Sequence, residues 1–145
     1  MPRPNEPPIG LRVTNTAKTL SRAFDEALSQ AGGSRSTWLI LLALKMKDIA
    51  NQRRLAEEVG IEGATLTHHL DSMESDGLLT RRRDPTNRRV HLVELTKQGD
   101  AAFQRMRVAA VEFDRHLRAG ISDAEIAQLG QLLARLAANV ASKIG

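Results

Sequence analysis

Between Leu55 and Thr96 the apolar residues keep helical spacing as far as Gly77 and strand-like spacing after it. That single change of period restricts this stretch to two short helices followed by a β-hairpin. Asn51 suits the N-cap of a helix over Gln52–Val59, with Leu55, Ala56 and Val59 on its inner face. Gly60 stands where a helix end wants a left-handed residue. A second helix is predicted from about Gly63 to Asp76, with Leu66, Leu70 and Met73 in one stripe, and Gly77 stops it. Two helices joined by a tight turn form a helix-turn-helix unit. Past Gly77, Leu79-Thr80-Arg81 and Val90 to Leu95 are short and β-prone, with Val90, Leu92 and Val93 available to a core. Asp84-Pro85-Thr86-Asn87 between them is a run of turn formers.

The flanking segments are helical. Ile9, Val13, Ala17, Leu20, Phe24 and Leu28 form one apolar stripe that ends near Gly32-Gly33. Ser34 or Ser36 can cap the next helix, where Trp38 to Met46 is apolar nearly all round and so expected to be central and buried. Thr96 caps a long helix with a seam of Phe103, Met106, Ala110, Phe113 and Leu117, broken at Gly120. Ser122 and Glu125 have the spacing of a capping box. They open a last helix carrying Ile126, Leu129, Leu133, Leu136, Val140 and Ile144. The first and the last two helices hold more apolar stripe than one small helix-turn-helix unit needs. A dimer interface would bury the surplus, and an intramolecular bundle is the other way to do so.

Composition removes several function classes. The chain of 145 residues has no cysteine, which excludes disulfides, thiolate zinc sites and thiol redox sensing. The longest apolar run, Trp38 to Leu44, is too short to span a bilayer. Residues 1–8 are Pro-rich with no apolar signal core, so a mobile tail and a cytoplasmic location are expected, without a membrane partner. No GxSxG, phosphate-binding Gly loop, HExxH or Ser-His-carboxylate set is present, and no enzyme is expected. No cofactor is expected either.

Charge placement says more than the net charge of +4. Arg81, Arg82, Arg83, Arg88 and Arg89 fall within nine residues around the hairpin turn, whereas Ile61 to Gly77 has four acids and no Lys or Arg. A helix sized for a major groove beside an Arg-tipped ribbon is a geometry for holding duplex DNA. On the exposed face of the second helix Thr65, Thr67, His68 and His69 can meet phosphates or base edges. Thr65 also reads as an ordinary helix-start residue. Adjacent histidines point about 100° apart, and His91 and His116 lack ligand spacing, so no metal site is expected. Asp84 can pair with one of the arginines and stiffen the wing.

The segment Leu78 to Gly99 carries a resemblance. Gly77-Leu78-Leu79, Arg81 to Arg83, Asp84-Pro85, Asn87-Arg88-Arg89, and Leu95-Thr96-Lys97-Gln98-Gly99 follow one another in the order seen in the MarR family of bacterial transcription regulators. The chain resembles that family from about Ile9 onward, departing in the wing by Asn87 for Asp and on the helix by His68 where Arg is frequent. The resemblance implies a mainly α chain with a small β-hairpin wing (α+β). A winged helix-turn-helix DNA-binding lobe would occupy 33–96, and a helical dimerisation region 9–32 and 97–145. It implies a homodimeric repressor on a pseudo-palindromic operator, nucleoid-associated when bound. Arg89 would enter the minor groove and Arg88 would meet phosphate, with Arg81 and Arg83 also on DNA and Asp84 orienting the wing. It further implies release by a small effector, an aromatic carboxylate or a phenol. Trp38 would be one wall of the effector site, unless it is simply core, and Arg22 or Arg35 the carboxylate partner. A nonspecific architectural DNA binder and a dimeric interaction module without DNA binding are the competing readings.

Overall fold

The computed structural model describes residues 3, 5–47, 49 and 51–144, with side chains to residue 141. Of the expected tail, residues 1, 2 and 4 lie outside the described residues, as does the Ile144 side chain. The elements follow in the order α1 (Ile9–Gln30), α2 (Arg35–Met46), α3 (Gln52–Val59), α4 (Gly63–Ser75), β1 (Leu79–Asp84), β2 (Asn87–Leu95), α5 (Lys97–Leu117) and α6 (Asp123–Ile144). The chain is mainly helical with one two-stranded antiparallel sheet. It divides into two compact units within α5, between Ala110 and Val111.

The first unit is built around α2. Ser34 caps this helix by accepting a hydrogen bond from the Thr37 amide. Ile40 and Leu41 are wholly buried, and the Trp38 ring stacks on Phe103 with centroids 5.4 Å apart and planes 9° from parallel. Leu55 of α3, Leu66, Leu70 and Met73 of α4, and Leu79 and Val93 of the hairpin close on the same core. Burial of each such side chain favours folding by about 1.5–3 kcal/mol. Leu28 from α1 and Ala102, Phe103 and Met106 from α5 belong to this core as well. Phe103 and Met106, expected on a seam of the long helix, are therefore used inside the lobe. Met46, at the end of α2, is 64% exposed.

Local signals set the helix ends. Asn51 Oδ1 accepts from the Arg53 and Arg54 amides, and Gly60 ends α3 at φ +69°. The hairpin is longer than its β-prone core suggests. Arg82 pairs with Leu92 and Arg83 with His91, and the register shifts before Asp84 meets Asn87 across Pro85-Thr86. The arginines of 81–83 and 88–89 thus lie in strands and not in a loop. An isolated bridge also joins the backbones of Asn51 and Leu92, so the start of α3 is tied to the hairpin.

Four elements meet at the base of the hairpin. Thr96 Oγ1 accepts from the Gly99 amide at 3.0 Å and donates to the Gly77 carbonyl at 2.6 Å, while the Thr96 amide donates to Leu78 O at 3.1 Å. A Cβ on Gly99 would lie 1.9 Å from Leu78 O and 3.1 Å from Leu95 Cδ2. Backbone cannot yield there as a flexible side chain could.

The second unit comprises the end of α5 and α6. Ser122 Oγ accepts from the Glu125 amide at 3.1 Å and Glu125 Oε1 accepts from the Ser122 amide at 3.0 Å, the expected capping box. These bonds hold the Glu125 carboxyl below its ordinary pKa. Leu129, Leu132, Leu133, Leu136 and Val140 of α6 are all exposed, by 37% to 59%. Among the described residues no helix is long and apolar enough to cross a membrane.

Replacement of Gly99 by alanine is expected to lower stability by about 3 kcal/mol, because the methyl group forces α5 away from Leu78. A urea denaturation midpoint equal to that of the unaltered chain would refute the close-approach account.

Candidate nucleic-acid interface

The hairpin carries its arginines in three different situations. Leu79 faces the core, so strand alternation turns Arg81 toward α4. There its guanidinium pairs with Asp71 and with Glu74 Oε1 at 3.1 Å, and its amide donates to Glu74 Oε2 at 2.9 Å. The Arg81 side chain is only 18% exposed. Burial pulls its pKa down, but the hydrogen bonds and charges of Asp71 and Glu74 more than reverse this, so the net shift is upward. Arg81 was expected on DNA. In the structure its charge is paired with two carboxylates of α4.

Arg82 is exposed and reaches Glu94 at 3.4 Å. Arg83 is exposed and donates to the Arg88 carbonyl at 3.2 Å, which braces the two strands near the tip. Arg88 and Arg89 are exposed, and their side chains are unpaired among the described residues. The expected pairing of Asp84 with an arginine is not found among the described residues. Asp84 Oδ1 accepts from Thr86 Oγ1 at 2.7 Å and from the Thr86 amide at 2.9 Å. Asp84 stiffens the turn through Thr86, because a two-residue turn brings that hydroxyl closer than any guanidinium. The Thr86 bonds hold the Asp84 carboxyl below its ordinary pKa of 3.8, and the charge of Arg82 adds less.

Helix α4 presents its polar residues unevenly. Thr65 and His68 are exposed, and His69 is half-buried. The two imidazoles lie 6.2 Å apart at 55°. Among the described residues no three possible metal ligands come together. Thr67 is exposed, but its hydroxyl receives Gln52 Nε2 at 3.0 Å and donates to Gly63 O at 2.9 Å. That pair of bonds fixes the start of α4 against the start of α3. Glu62 at the N-cap of α4 makes no side-chain cap, so the first-turn amides remain open to an external acceptor.

Between these elements runs a cleft of about 720 Å³. One wall is the β2 face of Asn87, Arg89 and His91; the other is Gln52 and Arg53 of α3 with Gly63 and Thr67 of α4. Gln52 and Arg53 were not singled out from the sequence. A signal was available. The first turn of α3 has no acid, and Arg53 and Arg54 place positive charge at the positive end of a helix dipole. Such placement is locally unfavourable and suits an anion held outside the helix.

The residues expected at an effector site lie on α1 and α2. Trp38, 9% exposed and stacked on Phe103, belongs to the core and lines neither that cleft nor the hollow beside Arg35. Arg35 grips Asp25 through Nε and a terminal nitrogen, both at 3.0 Å, and also donates to Ser21 O, so it fastens α2 to α1. It lines an open hollow with Asp25, Ser29, Gly33, Ser34 and Ser36. Arg22 is exposed on α1, one turn before Asp25, and does not itself line the hollow.

Helix-turn-helix, basic hairpin and long flanking helices together define a winged-helix regulator. The sequence model of the MarR family matches residues 34–91. The uncharacterized HTH-type transcriptional regulator YdgJ of Bacillus subtilis (strain 168) is 34% identical over 109 residues, 75% of this chain and 66% of that protein, so the match spans about two-thirds of the relative's length. The crystal structure of transcriptional regulator PA3341 is 33% identical, with a TM-score of 0.76 over 93% of this chain and 99% of that one. The transcriptional repressor CouR, solved on a 23-mer DNA duplex, shares the fold with a TM-score of 0.79 at 24% identity, over 90% of this chain and 92% of its own. The chain belongs to the MarR family, whose members are transcription regulators and not enzymes.

Asp84 is expected to titrate below 3.8, so its bond to Thr86 contributes to turn stability above that pH and is lost as pH falls through the lowered value. An NMR titration of the Thr86 amide checks this. A midpoint at or above 3.8, or no rise of the Asp84 midpoint on Thr86→Val, would contradict it.

Proposed function

We infer that the chain works as a homodimeric repressor on a pseudo-palindromic DNA operator. Helix α4 enters the major groove, and the β1–β2 wing enters the adjacent minor groove. The observation that carries this reading is the cleft between wing and helices, with Arg89 on one wall and Arg53 on the other. A phosphate backbone following the ridge between two grooves would run through such a cleft, held from both sides. Arg89 is unpaired and free to enter a narrow minor groove, where a weakly hydrated guanidinium is favoured. Arg88 points to the other side of the strand and serves phosphate. Thr65, His68 and His69 meet base edges or phosphates, while Thr67 acts more by holding α3 to α4. Arg83 and Asp84 keep the wing tip rigid. The likeness in fold to CouR on its duplex supports this placement.

Dimerisation is supported by apolar surface that one chain leaves uncovered. Ile9 and Leu11 on α1 are 58% and 52% exposed, and the α6 row from Leu129 to Val140 is uncovered as well. The division of labour is then 33–96 for DNA and 9–32 with 97–145 for the partner, although the lobe's core borrows Leu28, Phe103 and Met106. A small aromatic carboxylate or phenol would relieve repression by favouring a dimer whose two α4 helices no longer match grooves about 34 Å apart. Of the residues expected to hold it, Arg35 is the one beside an open hollow, and a carboxylate there would have to displace Asp25. The protein would act in the cytoplasm.

Arg89→Ala is expected to weaken binding to every DNA sequence and to lower the slope of log affinity against log salt by about 1. Gel-shift titrations at several salt concentrations measure both. Unchanged affinity and slope would remove the wing from the interface. Equal affinity for all sequences in the unaltered protein would favour the architectural reading.

A further inference from the structure

Helix α4 is an awkward helix to place against DNA. From Ile61 to Gly77 it and its flanks hold four carboxylates and no lysine or arginine. Two of the four, Asp71 and Glu74, stand three residues apart on one face. That face turns toward β1, where Arg81 meets both. Glu74 engages Arg81 twice, through the guanidinium at 3.1 Å and through the backbone amide at 2.9 Å. The second bond is to main chain, so it fixes the position of the strand itself and not only of a side chain. A two-stranded ribbon has little stiffness of its own, and this one is otherwise held at its base by Thr96 and, level with Arg82, by the Asn51–Leu92 bridge to α3. The Arg81 contacts lie between these two ties, opposite Val93, and join the hairpin to α4.

We propose that Glu74, with Asp71 and Arg81, is a positioning device that sets the angle between α4 and the wing, and so the separation of the two grooves that one protomer reads. The proposal rests on the DNA-binding reading above. It assigns Arg81 no contact with DNA. It also gives Glu74 a role opposite in sign to its charge: a carboxylate on a DNA-reading helix should repel phosphate, yet its removal would harm recognition. Loss of the pair frees the wing to swing, so the tip arginines no longer reach the minor groove while α4 occupies the major groove. Loose association with any duplex, which needs only exposed arginines, is left intact.

The test uses the full chain and a duplex that the unaltered protein selects from a random-sequence pool, with poly(dI-dC) as the nonspecific duplex. Glu74→Gln keeps size and can still accept from the Arg81 amide, so folding is preserved, as thermal melting would confirm. It is expected to weaken the selected duplex about tenfold, with nonspecific affinity and salt slope unchanged. Arg81→Gln is expected to do the same, and the double variant to be no worse than either single one. Hydroxyl-radical protection should fade in the minor groove under the wing, while guanine protection from methylation in the major groove persists. Tighter or unchanged binding by Glu74→Gln overturns the proposal. So does a fall of the salt slope by about 1 in Arg81→Gln with equal loss on both duplexes, which would make Arg81 a phosphate ligand. If the unaltered protein selects no sequence, the operator-binding reading falls and the proposal with it.

Discussion

The first turn of α5 lies against the Leu78 carbonyl with no room for a side chain at Gly99, where a Cβ would come within 1.9 Å of that oxygen. Much of the lobe depends on this approach. It brings the end of α4, the start of β1, the end of β2 and the start of α5 to one point, and Thr96 bonds three of them together. From that point α4 runs one way with Leu66, Leu70 and Met73 in the core, and α5 another with Ala102, Phe103 and Met106 in the same core. The hairpin projects from the junction with Leu79 and Val93 buried in the core and Leu95 packed against it. Beyond those residues its direction is fixed by the Glu74 bond to the Arg81 amide, the Arg81 ion pairs and the Asn51–Leu92 bridge.

Charge in this lobe is arranged by distance from the core. Nearest to it, Arg81 is enclosed and neutralised by Asp71 and Glu74. Midway, Arg82 and Arg83 make single contacts with Glu94 and with the Arg88 carbonyl. Farthest out, Arg88 and Arg89 are unpaired. The gradient separates arginines that bond within the protein from arginines whose side chains have no partner among the described residues. Arg53 joins the second group from another element, because the Asn51–Leu92 bridge brings the start of α3 to the wing.

Several features were legible from local chemistry. The caps at Ser34, Asn51, Thr96 and Ser122 form the bonds their residue types suggest, and the change of period at Gly77 is a real change from helix to strand. The alternation rule also held the answer for Arg81: with Leu79 facing inward, a residue two positions on faces inward too. Read as members of one basic cluster, the arginines hid that difference. Trp38 was ambiguous between core and pocket, since both want a large apolar ring, and only its stack on Phe103, far along the chain, distinguishes them.

The sequence by itself determined the elements, the ends of the helices and the family, but not how far the strands run, because caps, glycine positions and hydrophobic period act over three or four residues and are written in consecutive letters. Tertiary structure decided which charges are spent and which remain. Asp71, Glu74 and Arg81 neutralise one another, Asp25 holds Arg35, and Gln52 and Arg53 face Arg89 across a cleft. Those pairings join residues on different elements, and an ion pair depends on distance in space, which spacing along a chain does not specify.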